Sequence, residues 1–169
     1  MRKLDYLFTL ITIIVILVTV IYFFRNIDDA RLWKTGNSLV EMNQLAVSYS
    51  SGGEKEDLNS RFHQIILKNN GVKNLVVKDG FIFNPLGGKM VAQNIDGSNF
   101  SISVGGIKTE QNCIDFIKRQ IKLGVNWSHI GNSTYIEKHK VFELNDGAYG
   151  DICHSDFGDI VFYNWYFLN

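Results

Sequence analysis

Apolar residues are distributed very unevenly along this chain. From Tyr6 to Phe24 they form a run broken only by the hydroxyls of Thr9, Thr12 and Thr19, with no charge. Wound as a helix at ~1.5 Å per residue, the run spans about 28 Å, close to the ~30 Å hydrocarbon core of a bilayer. A cleaved secretory signal is the competing reading. Such signals have a shorter apolar region and then small residues, whereas this run leads into Phe23-Phe24-Arg25-Asn26. The run therefore reads as a membrane anchor, and Arg2 and Lys3 before it keep the N-terminus cytoplasmic and export the chain beyond Arg25.

Beyond the run, Ile27, Ala30, Leu32, Trp33, Leu39, Val40, Met42, Leu45, Ala46 and Tyr49 recur mainly at spacings of three and four. That period predicts a helix continuing to about Ser50 with one face buried, with Gly36 as a weak point and Ser51-Gly52-Gly53 as its end. A second helix is predicted over Lys55 to Asn69, with Leu58, Phe62, Ile65 and Ile66 on one face. The pattern then changes to strands. Leu75-Val76-Val77 and Phe81-Ile82-Phe83 flank Lys78-Asp79-Gly80, and Lys89–Gln93 and Phe100–Val104 flank Ile95-Asp96-Gly97-Ser98, giving two hairpins. Thr109 is placed to cap a helix running to about Leu123, with Cys113, Phe116, Ile117, Gln120 and Ile121 sharing a face. Between Val125 and Tyr149 the only strand-like pieces are Tyr135-Ile136 and Val141-Phe142. The apolar stretch from Asp159 to Tyr163 reads as a last strand paired inside the sheet.

Composition narrows the function. The 169 residues suffice for one ordinary domain with attachments, and 17 basic against 17 acidic residues imply no basic face for nucleic acid. Both cysteines, Cys113 and Cys153, lie in the exported part, where an oxidising compartment favours their pairing. Closing a loop of that length stabilises a fold by roughly 4 kcal/mol through chain entropy. The alternative is two unpaired buried thiols.

The motifs and their order resemble the type IVb pilins of conjugative thin pili and of the toxin-coregulated pilus. Phe8-Thr9-Leu10-Ile11-Thr12 is similar to that family's processing sequence F-T-L-[IL]-E, preceded by a short leader, here Met1 to Leu7. Ile82-Phe83-Asn84 with Gly87-Gly88, then Asp96-Gly97-Ser98-Asn99-Phe100-Ser101-Ile102, then Gly106, Thr109 and Cys113, resemble its middle region. Cys153 and Asp159-Ile160-Val161-Phe162 resemble its closing cysteine and last strand. The resemblance implies an α+β type IV pilin fold, in which a long N-terminal membrane-spanning helix packs on an antiparallel sheet with a disulfide-closed C-terminal region. Its parts would be a leader-like segment 1–7, the transmembrane half of the helix 8–24, its periplasmic half 25–50 and a globular domain 51–169. The implied function is structural, and the implied partners are other pilin subunits, a prepilin peptidase and an inner-membrane assembly platform. The implied location is the bacterial inner membrane, with a cell-surface pilus when assembled. No cofactor is implied.

Two positions depart from the family. Its leaders end in glycine, after which the peptidase cuts and a methyl group is added to the new amine; this chain has Leu7 before Phe8. The family's assembly glutamate, a partner for the N-terminal amine of a neighbouring subunit, is Thr12 here. A neutral hydroxyl cannot replace that charge, and in a helix it can instead bond the preceding turn. An uncut chain would carry Arg2, Lys3 and Asp5 into an apolar filament core, at several kcal/mol for each unpaired charge. The competing function is thus an unprocessed, membrane-anchored periplasmic adaptor or binding protein that does not polymerise.

Other chemistry has little behind it. His63, His129, His139 and His154 show no metal-ligand spacing. Asp151, Asp156 and Asp159 lack the spacing of a calcium loop and read better as turn formers. No nucleophile elbow or phosphate loop occurs, and Gly87-Gly88 and Gly105-Gly106 read as turns, so an anchored enzyme is not expected. The aromatic end, Phe162-Tyr163-Asn164-Trp165-Tyr166-Phe167, is either an interaction patch or a buried sheet edge.

Overall fold

Alternation of side chains in one strand organises the sheet. In Asn99–Val104 (β4), Phe100, Ile102 and Val104 are buried on one face while Ser101 and Ser103 point to the other, the period of two expected of a strand. The computed structural model describes residues 2–50, 58–68, 72–96, 99–125, 127–134, 138–154 and 158–164. In chain order the elements before β4 are α1 (Arg2–Ser50), α2 (Leu58–Leu67), β1 (Val76–Lys78), β2 (Phe81–Phe83) and β3 (Lys89–Asp96). After it come α3 (Glu110–Lys122), β5 (His129–Asn132), β6 (Lys138–Lys140), α4 (Asp146–Ile152) and β7 (Ile160–Asn164). The fold is α+β, with a seven-stranded sheet in the order β1-β2-β3-β4-β7-β5-β6 and every described pairing antiparallel. Internal contacts divide the chain into two compact units, Met1–Arg31 and Leu32–Asn169.

Both expected hairpins form. The β1–β2 connection is the pair Asp79-Gly80 with φ of 51° and 75°, the positive values that a two-residue type I′ loop requires. The β3–β4 ladder runs further than the apolar pattern implies, to an Asp96↔Asn99 pair beyond a bulge at Asn94/Asp96. The last strand enters the interior of the sheet as expected, between β4 and β5. Ala92, Ile102, Phe162 and Ile130 then lie side by side across four strands, all fully buried.

Helices cover this row. Phe116 of α3 meets Phe162 edge-on at 5.9 Å between ring centres, and Trp127 lies 5.2 Å from the same ring. Thr109 caps α3 as its sequence predicts, its hydroxyl accepting from the Asn112 N–H at 3.2 Å. In the second unit α1 buries Leu32, Leu39, Met42 and Ala46, but also Thr35, Ser38 and Asn43, while Trp33, one residue round from Leu32, is 53% exposed. Ser38 and Asn43 have tasks, as does Glu41. The Ser38 hydroxyl donates to the Lys73 carbonyl (2.7 Å), the Glu41 carboxylate accepts from the Lys73 N–H (2.8 Å), and the Asn164 amide donates to Asn43 Oδ1 (3.1 Å). Gly36 is a close-approach point, since a Cβ there would lie 2.6 Å from Gln120 Nε2. On α2, Phe62 and Ile66 are buried; 55–57 and Asn69, placed in this helix from the sequence, lie outside the described residues.

The segment from Val125 to Tyr149 departs from expectation. Val141-Phe142 is not a strand: Val141–Glu143 is a 3-10 turn and Phe142 is 81% exposed. The strand is instead the polar triplet Lys138–Lys140, whose His139 opposes Ile130 at the sheet edge. An edge needs backbone pairing on one side only, and lysines there discourage further pairing, so an apolar signal is absent where the strand forms. Tyr135-Ile136 lies outside the described residues. Helix α4 carries no apolar period either, and its start is set by the Asn145 side chain accepting from the Ala148 N–H at 3.1 Å.

Glycines join β2 and β3 to β4. Asn84 donates from Nδ2 to the Gly105 carbonyl (2.9 Å), and its Oδ1 accepts from the N–H groups of Leu86 (2.9 Å) and Gly88 (3.3 Å). A Cβ at Gly88 would lie 2.0 Å from the Gly105 backbone, which cannot yield, whereas one at Gly150 in α4 meets nothing within 4 Å. Gly88→Ala is therefore expected to cost at least ~1–3 kcal/mol, and Gly150→Ala to gain about 0.5–1 kcal/mol. Urea unfolding of the detergent-solubilised chain measures both, and equal effects would contradict the close approach.

Candidate functional site

The residues singled out from the sequence fall in two places. Leu7, Phe8 and Thr12 lie on α1 in the first unit, with Leu7 55% and Phe8 63% exposed. The helix is long and apolar enough to cross a membrane: its most apolar 18-residue window has a mean hydropathy of 2.9, and none of that window is buried. Hydroxyls there are costly in lipid unless satisfied within the helix. The Thr12 hydroxyl donates to the Phe8 carbonyl at 2.8 Å, and Thr19 does the same to Val15 at 2.8 Å. Thr12 thus bonds its own preceding turn.

Cys113 and Cys153 lie in the second unit and are joined, with Cα atoms 5.7 Å apart and both residues fully buried. Each is positioned by its helix. Cys113 sits in the first turn of α3 on the face that also buries Phe116, Ile117 and Gln120, and Cys153 is the residue that ends α4. The bridge therefore ties the helix that precedes β5 to the one that precedes β7. Asn132 of β5 reinforces the same corner, donating from Nδ2 to the Ile152 carbonyl at 3.0 Å while its Oδ1 accepts from the Thr134 N–H at 2.8 Å. The bonding roles of Asn132, Asn84 and the Asn43–Asn164 pair have no signal in the sequence, because an asparagine reads as a turn former until its partners are known.

Among the described residues the aspartates do not gather. Asp151 is exposed on α4, 3.8 Å from His139 Nε2, and Asp156 lies outside the described residues. Asp159 is half-buried at the start of β7, where its N–H donates to the Ser133 hydroxyl (2.8 Å) and its carbonyl accepts from the Ser133 N–H (2.9 Å), the work of a turn residue. Burial pushes its carboxyl above the usual range, opposed by Lys89. Among the described residues no three His, Cys, Asp or Glu side chains converge as metal ligands.

His129 is buried on β5 with Nδ1 3.2 Å from the Ser128 hydroxyl. Burial, and then the charges of Lys140 and Lys138, hold its pKa below the ordinary 6.5, with Glu143 acting weakly the other way. His63 lies on α2, His139 on β6 and His154 is exposed just beyond α4, so the four are dispersed.

No protein-family model matches the chain, and no curated protein or solved structure matches it significantly.

The bridge and the buried histidine can each be tested. Free-thiol labelling of the denatured, non-reduced protein is expected to find no reactive Cys113 or Cys153, and reduction is expected to destabilise the fold by roughly 2–5 kcal/mol; stoichiometric labelling of both would overturn the pairing. For His129, a lowered folded-state pKa contributes stability that is complete above 6.5 and is lost as pH falls through the folded-state value. The melting temperature is therefore expected to fall on acidification below pH 6.5, and His129→Gln to flatten that fall; an unchanged slope would show that His129 does not carry it.

Proposed function

We propose that this chain is a structural subunit of the type IVb pilin kind, anchored by α1 in the bacterial inner membrane and assembling through that helix into, or onto, a pilus or a related conjugation or secretion pseudopilus. The observation that carries the reading is a single helix, Arg2–Ser50, whose stretch from Tyr6 to Phe24 carries no charge and is unburied and whose later part is built into an antiparallel sheet domain closed by one disulfide. The resemblance of Phe8-Thr9-Leu10-Ile11-Thr12, and of the residues around Asn84, Asp96 and Cys113, supports it from the sequence side. In this reading the domain is periplasmic, and the partners are other pilin subunits, the inner-membrane assembly platform and, when the leader is removed, the prepilin peptidase.

A second reading rests on a specific observation. The Thr12 hydroxyl is engaged by the Phe8 carbonyl, and no carboxylate stands at that position to meet the amine of an incoming neighbour. With Leu7 before the junction, this favours a tip-type subunit, or an uncut adaptor that stays in the membrane, over a long homopolymer.

Mass spectrometry of the protein extracted from its native membrane distinguishes these. A chain beginning at Phe8, methylated, is the result expected of a filament subunit, and an intact N-terminus supports the adaptor. Leu7→Gly combined with Thr12→Glu is expected to raise incorporation into filaments in a host with the cognate machinery, because the glycine lets the charged leader leave and the glutamate gives each new amine a partner in a low-dielectric setting. Either change alone is expected to do less. Long native homopolymers whose yield is unaltered by the double change would remove both positions as barriers.

A further inference from the structure

A groove of about 340 Å³ opens between the later part of α1, the end of α3 and the end of β7, all within the second unit. Val40 and Val47 of α1 form one wall and Leu123 and Val125 the other, with Asn43 and Asn164 at the base. Among the described residues its lining carries no charge. Leu123 is 50% exposed, an apolar side chain left in water beside half-buried valines.

The base of the groove is polar in a way that specifies what would fit. Asn43 and Asn164 are 6% and 2% exposed, and one hydrogen bond joins them, from Asn164 Nδ2 to Asn43 Oδ1 at 3.1 Å. That bond leaves the Asn43 amide nitrogen as a donor and Asn164 Oδ1 as an acceptor, with no further partner among the described residues. A donor beside an acceptor matches the C=O and N–H of a peptide group, whereas a carboxylate or an ammonium leaves one of the two unmet. Apolar walls, an uncharged lining and this amide pair together select an uncharged, apolar peptide segment.

A segment of that kind starts at the groove itself. Asn164 is followed by Trp165-Tyr166-Phe167-Leu168-Asn169, three aromatic residues and a leucine with no charged side chain. The hydrogen bond to Asn43 fixes its point of departure at the base of the groove. Five residues reach at most about 17 Å. Val40 and Val47 stand about 10 Å apart along α1, so the segment is long enough to cross the groove. Its tether also gives it an effective concentration of order millimolar there, which a free peptide lacks.

We propose that residues 165–169 dock in this groove of their own chain, with apolar side chains against Val40, Val47, Leu123 and Val125 and a peptide group on the Asn43–Asn164 pair. The aromatic stretch is then an intramolecular clasp that pins the later part of α1 to α3 and β7. The proposal does not depend on whether the chain assembles into filaments.

The test uses the full chain in lipid nanodiscs, with the photo-reactive residue p-benzoylphenylalanine replacing Tyr166 in one variant and Phe167 in another. After irradiation, reduction and digestion, mass spectrometry is expected to find cross-links to the stretch 40–47 or 123–125 from at least one of the two positions. In discs that hold several chains, a mixture of nitrogen-15 and unlabelled protein is expected to give linked peptides of one isotope, the mark of docking within a chain. Leu123→Glu, at a half-exposed position, is expected to lower cross-linking in the groove by about fivefold or more, and Leu123→Met to retain it. No cross-link to either stretch from both positions, linked peptides of mixed isotope only, or undiminished cross-linking in Leu123→Glu overturns the proposal.

Discussion

The central position of β7 is the constraint on which the rest of the second unit depends. Strand β5 pairs only with β6 and β7 among the described strands, so the β5–β6 hairpin joins the sheet through the last strand alone. Phe162 is the contact point: Ile102 and Ile130 flank it within the sheet, and Phe116 and Trp127 cover it from above. A strand from the end of the chain that completes the middle of a sheet closes long loops, and their entropy must be met before the contacts form. The Cys113–Cys153 bridge addresses that cost directly, because it links the helices preceding β5 and β7 and shortens the search for the register of both.

Buried amides hold the corners of this arrangement. Asn84 fixes the β2–β3 turn to the end of β4, Asn132 fixes β5 to the end of α4, and Asn43 and Asn164 join α1 to the end of β7. Asn84 and Asn132 lie where a turn or a strand end leaves backbone groups unpaired, and a satisfied amide there costs less than orphaned N–H and C=O groups, whereas Asn43 and Asn164 are joined to each other through their side chains. The α1–α3 contact is less complete. Thr35 Oγ1 and both polar atoms of Gln120 are buried without partners among the described residues, at the place where Gly36 admits the Gln120 side chain. Leu39 and Phe116 of the same two helices are fully buried.

The apolar part of α1 works on different physics. Its surface is almost entirely hydrocarbon, and the Thr12 and Thr19 hydroxyls are turned back to the helix, so it presents little polar attraction to a neighbour. Helices of this kind associate in lipid through close packing rather than through burial of apolar area from water. That is why Thr12 matters to the proposed assembly: a glutamate would add a directional charge, and a threonine satisfied within its own turn adds none.

The sequence by itself determined the elements whose patterns are local. The uncharged run from Tyr6 to Phe24, the spacing of three and four through Ala46, Asp79-Gly80 between two β-rich triplets and Thr109 before an amphipathic stretch each carry their own physical instruction, and the helices and hairpins formed there. The expected export of Cys113 and Cys153 likewise pointed to their pairing. Tertiary structure alone decided the segment from Val125 to Tyr149, because Lys138-His139-Lys140 is a strand only by virtue of an edge that β5 offers, and Val141-Phe142 is diverted into a turn once Val141 donates to the Ser128 carbonyl. The roles of Asn84, Asn132 and Asn164, and the groove between α1 and the end of α3, were equally out of reach, since a polar partner or a concave surface is a relation between distant residues and leaves no period in the chain.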